Sequence, residues 1–131
     1  MPAKILVVDD DRLSLKVIEA FLQQDGLETV ALLDSLEAAK ELEKQKFDAI
    51  LVDANMPNLD GFKLAERVRA SRLNASVPVA MITAYDDAAV RKRANAVGIT
   101  MFVGKPVTLE RILPIVHTMV GHRHQQSAHG D

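Results

Sequence analysis

The 131-residue chain has no cysteine and no tryptophan. Without cysteine it has no disulfide framework, no thiolate zinc site and no cysteine nucleophile. Aromatic residues make up 4%, with Tyr85 the single tyrosine, so stacking platforms for single-stranded nucleic acid are not expected. The net charge is −2, from 16 basic and 18 acidic residues, and no global field draws in nucleic acid or anionic lipid. No apolar run approaches the ~18 residues of a membrane span. Met1-Pro2-Ala3-Lys4 lacks a signal-peptide core. Apolar residues at 48% and charged residues at 26% describe an ordinary globular chain. At this length about two-thirds of the unfolded surface is buried on folding. The expectation is one cytoplasmic domain whose chemistry comes from carboxylates, hydroxyls, lysine and histidine.

Two periodicities alternate along the chain. Ile5-Leu6-Val7-Val8 is an apolar run that stops at Asp9-Asp10-Asp11, a strand buried on both faces. Ser14, Val17, Ile18, Phe21 and Leu22 form one stripe of a first helix, capped by Asp11 and stopped by Gly26. Leu27 to Leu33 reads as a second strand, and Glu28 and Thr29 place it at a sheet edge. Asp34 and Glu37 have capping-box spacing for a helix carrying Leu36, Ala39 and Leu42. Phe47 to Val52 is a third strand ending at Asp53, followed by a turn-rich segment to Gly61 and a helix from Phe62 to Ser71, with Phe62, Ala65 and Val68 inward. Val77 to Ile82 is a fourth strand ending at Thr83. Asp86 or Asp87 caps a helix with a weak stripe, ended by Gly98. Ile99 to Val103 is a fifth strand, followed by Gly104-Lys105-Pro106. Thr108 caps a last helix to Val120, with a kink or gap expected at Pro114.

The alternation predicts an α/β fold: a doubly wound five-stranded parallel sheet in the order 2-1-3-4-5, with helices on both faces. The domain is expected over 3–120. Residues 121–131 contain one apolar residue, Ala128, and read as a flexible tail. All four histidines (117, 122, 124 and 129) lie in the last fifteen residues and read as solvated positions.

Sites in open parallel sheets form at the carboxyl ends of strands. That edge receives Asp9 and Asp10, Asp53, Thr83 and Lys105. Clustered carboxylates repel one another unless a cation neutralises them or one keeps its proton. An all-oxygen set suits Mg²⁺, completed by water. With Lys105, such a site accommodates an incoming phosphoryl group, which an aspartate can accept as an acyl phosphate. A lone aspartate after a strand is commonly a helix cap, a lone threonine a loop hydroxyl and a lone lysine a surface charge. The convergence on one edge is what carries the reading.

The sequence resembles the receiver domain of two-component response regulators, a flavodoxin-like fold, from Lys4 to Val120. The motifs are Val7-Val8-Asp9-Asp10, Leu51-Val52-Asp53-Ala54-Asn55-Met56-Pro57, Asp60-Gly61, Ile82-Thr83-Ala84 and Gly104-Lys105-Pro106. The resemblance implies that Asp53 takes a phosphoryl group from a sensor histidine kinase or a histidine phosphotransfer protein. It implies Mg²⁺ on Asp10, Asp53 and the backbone carbonyl of Asn55, with Asp9 acting mainly through water. Lys105 would pair with Asp53 or the phosphoryl. Thr83 would swing toward the phosphoryl and Phe102 would turn inward, altering the surface of the fourth helix, fifth strand and fifth helix. Asn55 and Tyr85 occupy positions that influence how long the acyl phosphate survives. The Lys105-Pro106 bond is expected to be cis. Phe102 replaces a tyrosine found in some members, and Val107 stands where an aromatic is common.

Three other readings compete. A haloacid-dehalogenase-type phosphatase would use Asp9 as nucleophile, Asp11 as acid and Asp86-Asp87 for Mg²⁺, but its lysine should precede the second acidic pair and Leu13 does not fit its motif. A receiver-like interaction module without phosphorylation would keep the same fold. A flavin-binding domain would need a phosphate loop where Asp9-Asp10-Asp11 would repel phosphate. No output domain is visible, so the output is expected through a downstream effector or an output domain outside this sequence. A homodimer through the fourth helix, fifth strand and fifth helix is a further expectation. Kinase contacts are expected near the first helix, where Leu13 and Leu15 lie off the buried stripe.

Overall fold

The computed structural model describes residues 2–84 and 87–129, with the backbone alone over 122–129. Strands and helices alternate as β1 (Lys4–Val8), α1 (Arg12–Gln24), β2 (Glu28–Leu32), α2 (Ser35–Glu41), β3 (Ala49–Asp53), α3 (Gly61–Ala70), β4 (Val79–Thr83), α4 (Ala88–Ala96), β5 (Met101–Gly104) and α5 (Leu109–His129). The strands form one parallel sheet in the order β2-β1-β3-β4-β5, as the sequence pattern predicts. Alternate strand residues serve opposite faces. Leu6, Val8, Ile50, Val52 and Met81 pack toward α2, α3 and α4, whereas Ile5, Val7, Leu51 and Ile82 pack toward α1 and α5. Among the described residues no helix is long and apolar enough to cross a membrane.

The helix starts follow the aspartates. Asp11, Asp34, Asp60 and Asp87 each accept a hydrogen bond from the backbone of the first turn that follows. Asp86, the other candidate cap, lies outside the described residues. Gly26 and Gly98 adopt φ of 82° and 78° just past α1 and α4, the left-handed geometry glycine tolerates.

Several expectations need correction. The buried stripe of α1 is Leu15, Ile18 and Leu22, so Leu15 is core and Ser14 and Val17 are only half-buried. Leu36 points outward at 46% exposure, and Ala38 with Leu42 forms the buried side of α2. The third, fourth and fifth strands start two residues later than the apolar runs suggest. Phe47, Val77 and Ile99 are buried, but their amides donate to Asn74 Oδ1, the Asn74 carbonyl and the Ala94 carbonyl, not to the sheet. Backbone helix in α5 continues to His129, past the expected end at Val120, with Pro114 inside it.

Two polar side chains tie loops together at the edge opposite the strands' carboxyl ends. Asn74, fully buried, donates to the carbonyls of Leu42 and Gln45 and accepts from Phe47 N. Arg69 of α3 donates to four carbonyls: Val97 at 3.4 Å, Ala75 at 3.2 Å, Val77 at 2.7 Å and Gly98 at 2.9 Å. Burial lowers the affinity of its guanidinium for the proton. Bonds from a charged donor contribute more than neutral ones, and the carbonyls left behind would be partly buried. Arg69→Met is therefore expected to cost about 2–4 kcal/mol of folding stability, read as a lower urea midpoint with unchanged slope.

Candidate functional site

Parallel pairing brings the carboxyl ends of β1, β3, β4 and β5 together. Val8 lies beside Val52, Asp53 beside Ile82 and Thr83 beside Gly104. Asp9 follows β1 directly, Asp53 ends β3, Thr83 ends β4 and Lys105 follows β5. Lys105 N donates to the Thr83 carbonyl at 3.0 Å, which fixes where the lysine side chain departs.

The acidic cluster predicted from the strand ends is present. Oxygens of Asp9, Asp10 and Asp53 lie within 4.8 Å of one another. Asp9 and Asp53 are buried and Asp10 is exposed. Lys105 Nζ donates to Asp53 Oδ1 at 3.0 Å. Asp9 Oδ1 accepts from the Asp11 amide at 2.9 Å, whereas its Oδ2 is buried without a hydrogen-bond partner. Among the described residues no other buried side-chain polar atom is left so.

The charges follow this geometry. Burial, opposed by the Asp11 amide and reinforced by the charge of Asp53, pushes Asp9 up from 3.8 to about 6. Burial and the Asp53 charge also raise Asp10. Burial by itself would lower Lys105, but the hydrogen bond and charge of Asp53, with Asp9 and Asp10, outweigh it and raise the amine. A buried carboxylate oxygen without a donor, in a set of oxygen ligands only, is what a hard divalent ion satisfies. The residues present therefore fit Mg²⁺.

Asp11 lies outside this cluster in function. It caps α1, and the Ser14 hydroxyl, donating at 2.7 Å, lowers its carboxyl. A general acid requires the opposite shift, which argues against the dehalogenase-type assignment.

The other candidates are placed as follows. Thr83 is buried at the end of β4. Asn55 is exposed at the start of the β3–α3 loop. Phe102 is half-buried on β5, with the Arg91 guanidinium 4.9 Å over its ring. Arg93 of α4 sits 4.1 Å over the Phe62 ring and 3.2 Å from Asp60. The Lys105-Pro106 peptide bond is cis. Tyr85 lies outside the described residues. Gly61 packs so closely on the Asp53 carbonyl that a Cβ there would overlap it, which explains the Asp60-Gly61 pair. Leu13, 71% exposed, lines a groove of about 210 Å³ with Ser14, Val17, Lys105, Pro106 and Val107 beside the cluster.

Known proteins resemble this chain in sequence and in fold. A family model for the response regulator receiver domain matches residues 5–117. The sensor histidine kinase RcsC of Escherichia coli (strain K12) is 35% identical over 108 residues, 82% of this chain and 11% of its own length. The chain thus spans about a tenth of that curated relative. Chemotaxis protein CheY4 of Vibrio cholerae superposes with a TM-score of 0.88 at 30% identity, covering 91% of this chain and 99% of that one. The receiver domain of sensor histidine kinase PA1611 from Pseudomonas aeruginosa PAO1, a structure with a magnesium ion coordinated in the active site cleft, superposes with a TM-score of 0.83 at 30% identity, covering 92% and 99%. Motif order, sheet topology and these matches agree: the chain belongs to the response regulator receiver domains of two-component signalling.

Proposed function

We propose that Asp53 is the phosphoacceptor of this receiver domain and takes its phosphoryl group from a phosphohistidine of a sensor histidine kinase or a histidine phosphotransfer protein. The observation that carries the reading is the buried Asp53 carboxylate at the end of β3, paired with Lys105 at 3.0 Å beside Asp9 and Asp10. Asp10, Asp53 and the Asn55 carbonyl are the proposed Mg²⁺ ligands, with Asp9 acting mainly through water. When bound, Mg²⁺ supplies positive charge that offsets the carboxylates and the phosphoryl oxygens.

An Asp53 carboxylate oxygen attacks phosphorus, a P–O bond forms and the P–N bond to the donor imidazole breaks. The imidazole leaves as the protonated or neutral ring, taking any proton from solvent. Asp53 thereby exchanges a carboxylate for an acyl phosphate, and its Lys105 partner shifts to the phosphoryl oxygens, where the charge now lies. The Thr83 hydroxyl at the end of β4 donates to the same oxygens. Phe102 leaves its half-buried position under Arg91 and turns inward, changing the face of α4, β5 and α5. That face is the proposed reading surface for an effector, an output domain or a second copy of the chain. Asn55 and, from its sequence position, Tyr85 are the proposed residues that tune how long the phosphoryl survives. The groove lined by Leu13 and Val17 is the proposed seat of the donor protein.

The chain acts as a stoichiometric acceptor. Incubation with phosphoramidate and Mg²⁺ is expected to add one phosphoryl group per chain, labile in acid and dependent on Mg²⁺, without turnover of a small aryl phosphate. Sustained aryl phosphate hydrolysis would instead support the phosphatase reading.

A further inference from the structure

The β3–α3 loop between Asp53 and Gly61 carries the Asn55 carbonyl, and its shape is set from outside the site. Its ends are tied by the Gly61 amide to the Ala54 carbonyl at 3.1 Å. Met56 is buried and Leu59 packs on the core. At the tip, Leu59 N donates to the Pro57 carbonyl at 2.8 Å across a single residue, Asn58, whose φ is 69°. A three-residue turn with a left-handed centre is rare and strained, the more so without glycine.

One side chain from another element meets both ends of this turn. Ser35, the first residue of α2 and 2% exposed, donates its hydroxyl to the Pro57 carbonyl at 3.3 Å and accepts from Leu59 N at 3.3 Å. A hydroxyl has one proton to donate and two lone pairs to accept with, and here the proton goes to one side of the strained residue and a lone pair to the other. Both bonds are long, so each is individually weak. Their joint effect is to hold the turn closed against the preference of Asn58 for other conformations.

We propose that Ser35 is a positioning residue for phosphorylation: by bracing the turn at Asn58 it holds the Asn55 carbonyl where Mg²⁺ binds. The inference rests on the assignment of that carbonyl as a ligand. Ser35 touches neither the cation nor the phosphoryl group.

The test is Mg²⁺ titration of the full chain, followed by backbone amide shifts at Asn55 and Met56, for wild type, Ser35→Ala, Ser35→Thr and Ser35→Val. Thr and Val have nearly the same shape and differ in the hydroxyl, so packing effects cancel between them. Ser35→Ala, smaller than the native side chain, serves where a larger one disturbs folding. The Mg²⁺ dissociation constant is expected to rise about fivefold in the Ala and Val variants, the worth of one hydrogen bond, and to stay within about twofold in the Thr variant. Equal affinity of the Thr and Val variants, or of Ser35→Ala and wild type, would overturn the proposal even if folding stability falls. A wild type that shows no saturable response to Mg²⁺ would overturn the cation assignment itself, and this inference with it.

Discussion

Asp53→Asn is expected to abolish the acid-labile adduct while leaving the fold at least as stable as wild type. The amide keeps an oxygen for Lys105 to donate to, at the place where Oδ1 now lies 3.0 Å from Nζ. It retains the size of the carboxylate in a buried position at the end of β3. What it loses is the anionic nucleophile, and no neighbour replaces it. Asp10 is exposed, and Asp9 spends Oδ1 on the Asp11 amide. The charge of Asp53 is one of the influences that raise both Asp9 and Asp10, so its removal relieves repulsion. Intact-mass analysis after phosphoramidate treatment reads the first effect and a thermal melt reads the second. An adduct of wild-type yield on the variant would place the acceptor elsewhere.

Asp9→Asn is expected to separate stability from function. Asp9 is held at about 6, above its ordinary 3.8. For an acid raised on folding, the folded state binds the proton more tightly than the unfolded state. The resulting stabilisation is complete below about pH 4 and is lost as pH rises through about 6. In wild type at pH 7 the ionised carboxylate is thus a burden on the apo protein, with a ceiling of about 3 kcal/mol. Asparagine cannot ionise. Its amide also places a donor where the unpartnered Oδ2 now sits, next to Asp10 and Asp53. The variant should melt several degrees higher at pH 7 and lose most of the wild-type gain in stability between pH 7 and pH 5. It should also bind Mg²⁺ about ten- to a hundredfold more weakly, since one anionic group of the site is gone. In wild type the same proton competes with the cation, so Mg²⁺ affinity should fall as pH drops through 6. An Asp9→Asn variant less stable than wild type at pH 7 would contradict this assignment of the strain.

The same cluster explains which parts of the molecule were legible from the residues. A buried parallel strand is an apolar run that ends when a polar residue appears, and the polar residues that end these runs are the proposed site. The convergence of Asp9, Asp53, Thr83 and Lys105 on one sheet edge is therefore legible, because each stands where an apolar run ends. Helix caps were readable for a similar reason: an aspartate before an apolar stripe has one local task. The stripe of α1 was not, since Leu15 and Val17 are both apolar and only the packing of α1 on the sheet decides which is buried. Strand starts were also misplaced. Phe47, Val77 and Ile99 have the composition of strand, yet their backbone amides are satisfied by Asn74 and by the end of α4. Asn74, Arg69 and Ser35 left no signal, because their partners are backbone carbonyls and amides that every residue carries. Asn74-Ala75-Ser76 carries the pattern of a glycosylation acceptor, whereas Asn74 is fully buried and ties the end of α2 to the loop that leads into β3.

The central claim is that Asp53 carries the phosphoryl group, and the measurement that addresses it most directly is chemical mapping of the adduct. The phosphorylated chain is reduced with borohydride, which converts an aspartyl acyl phosphate to homoserine, and the digested peptides are sequenced by mass spectrometry. The account predicts homoserine at position 53, only after treatment with phosphodonor and Mg²⁺. Homoserine at position 9 or 10, or a phosphoryl group that resists acid and borohydride, would contradict it.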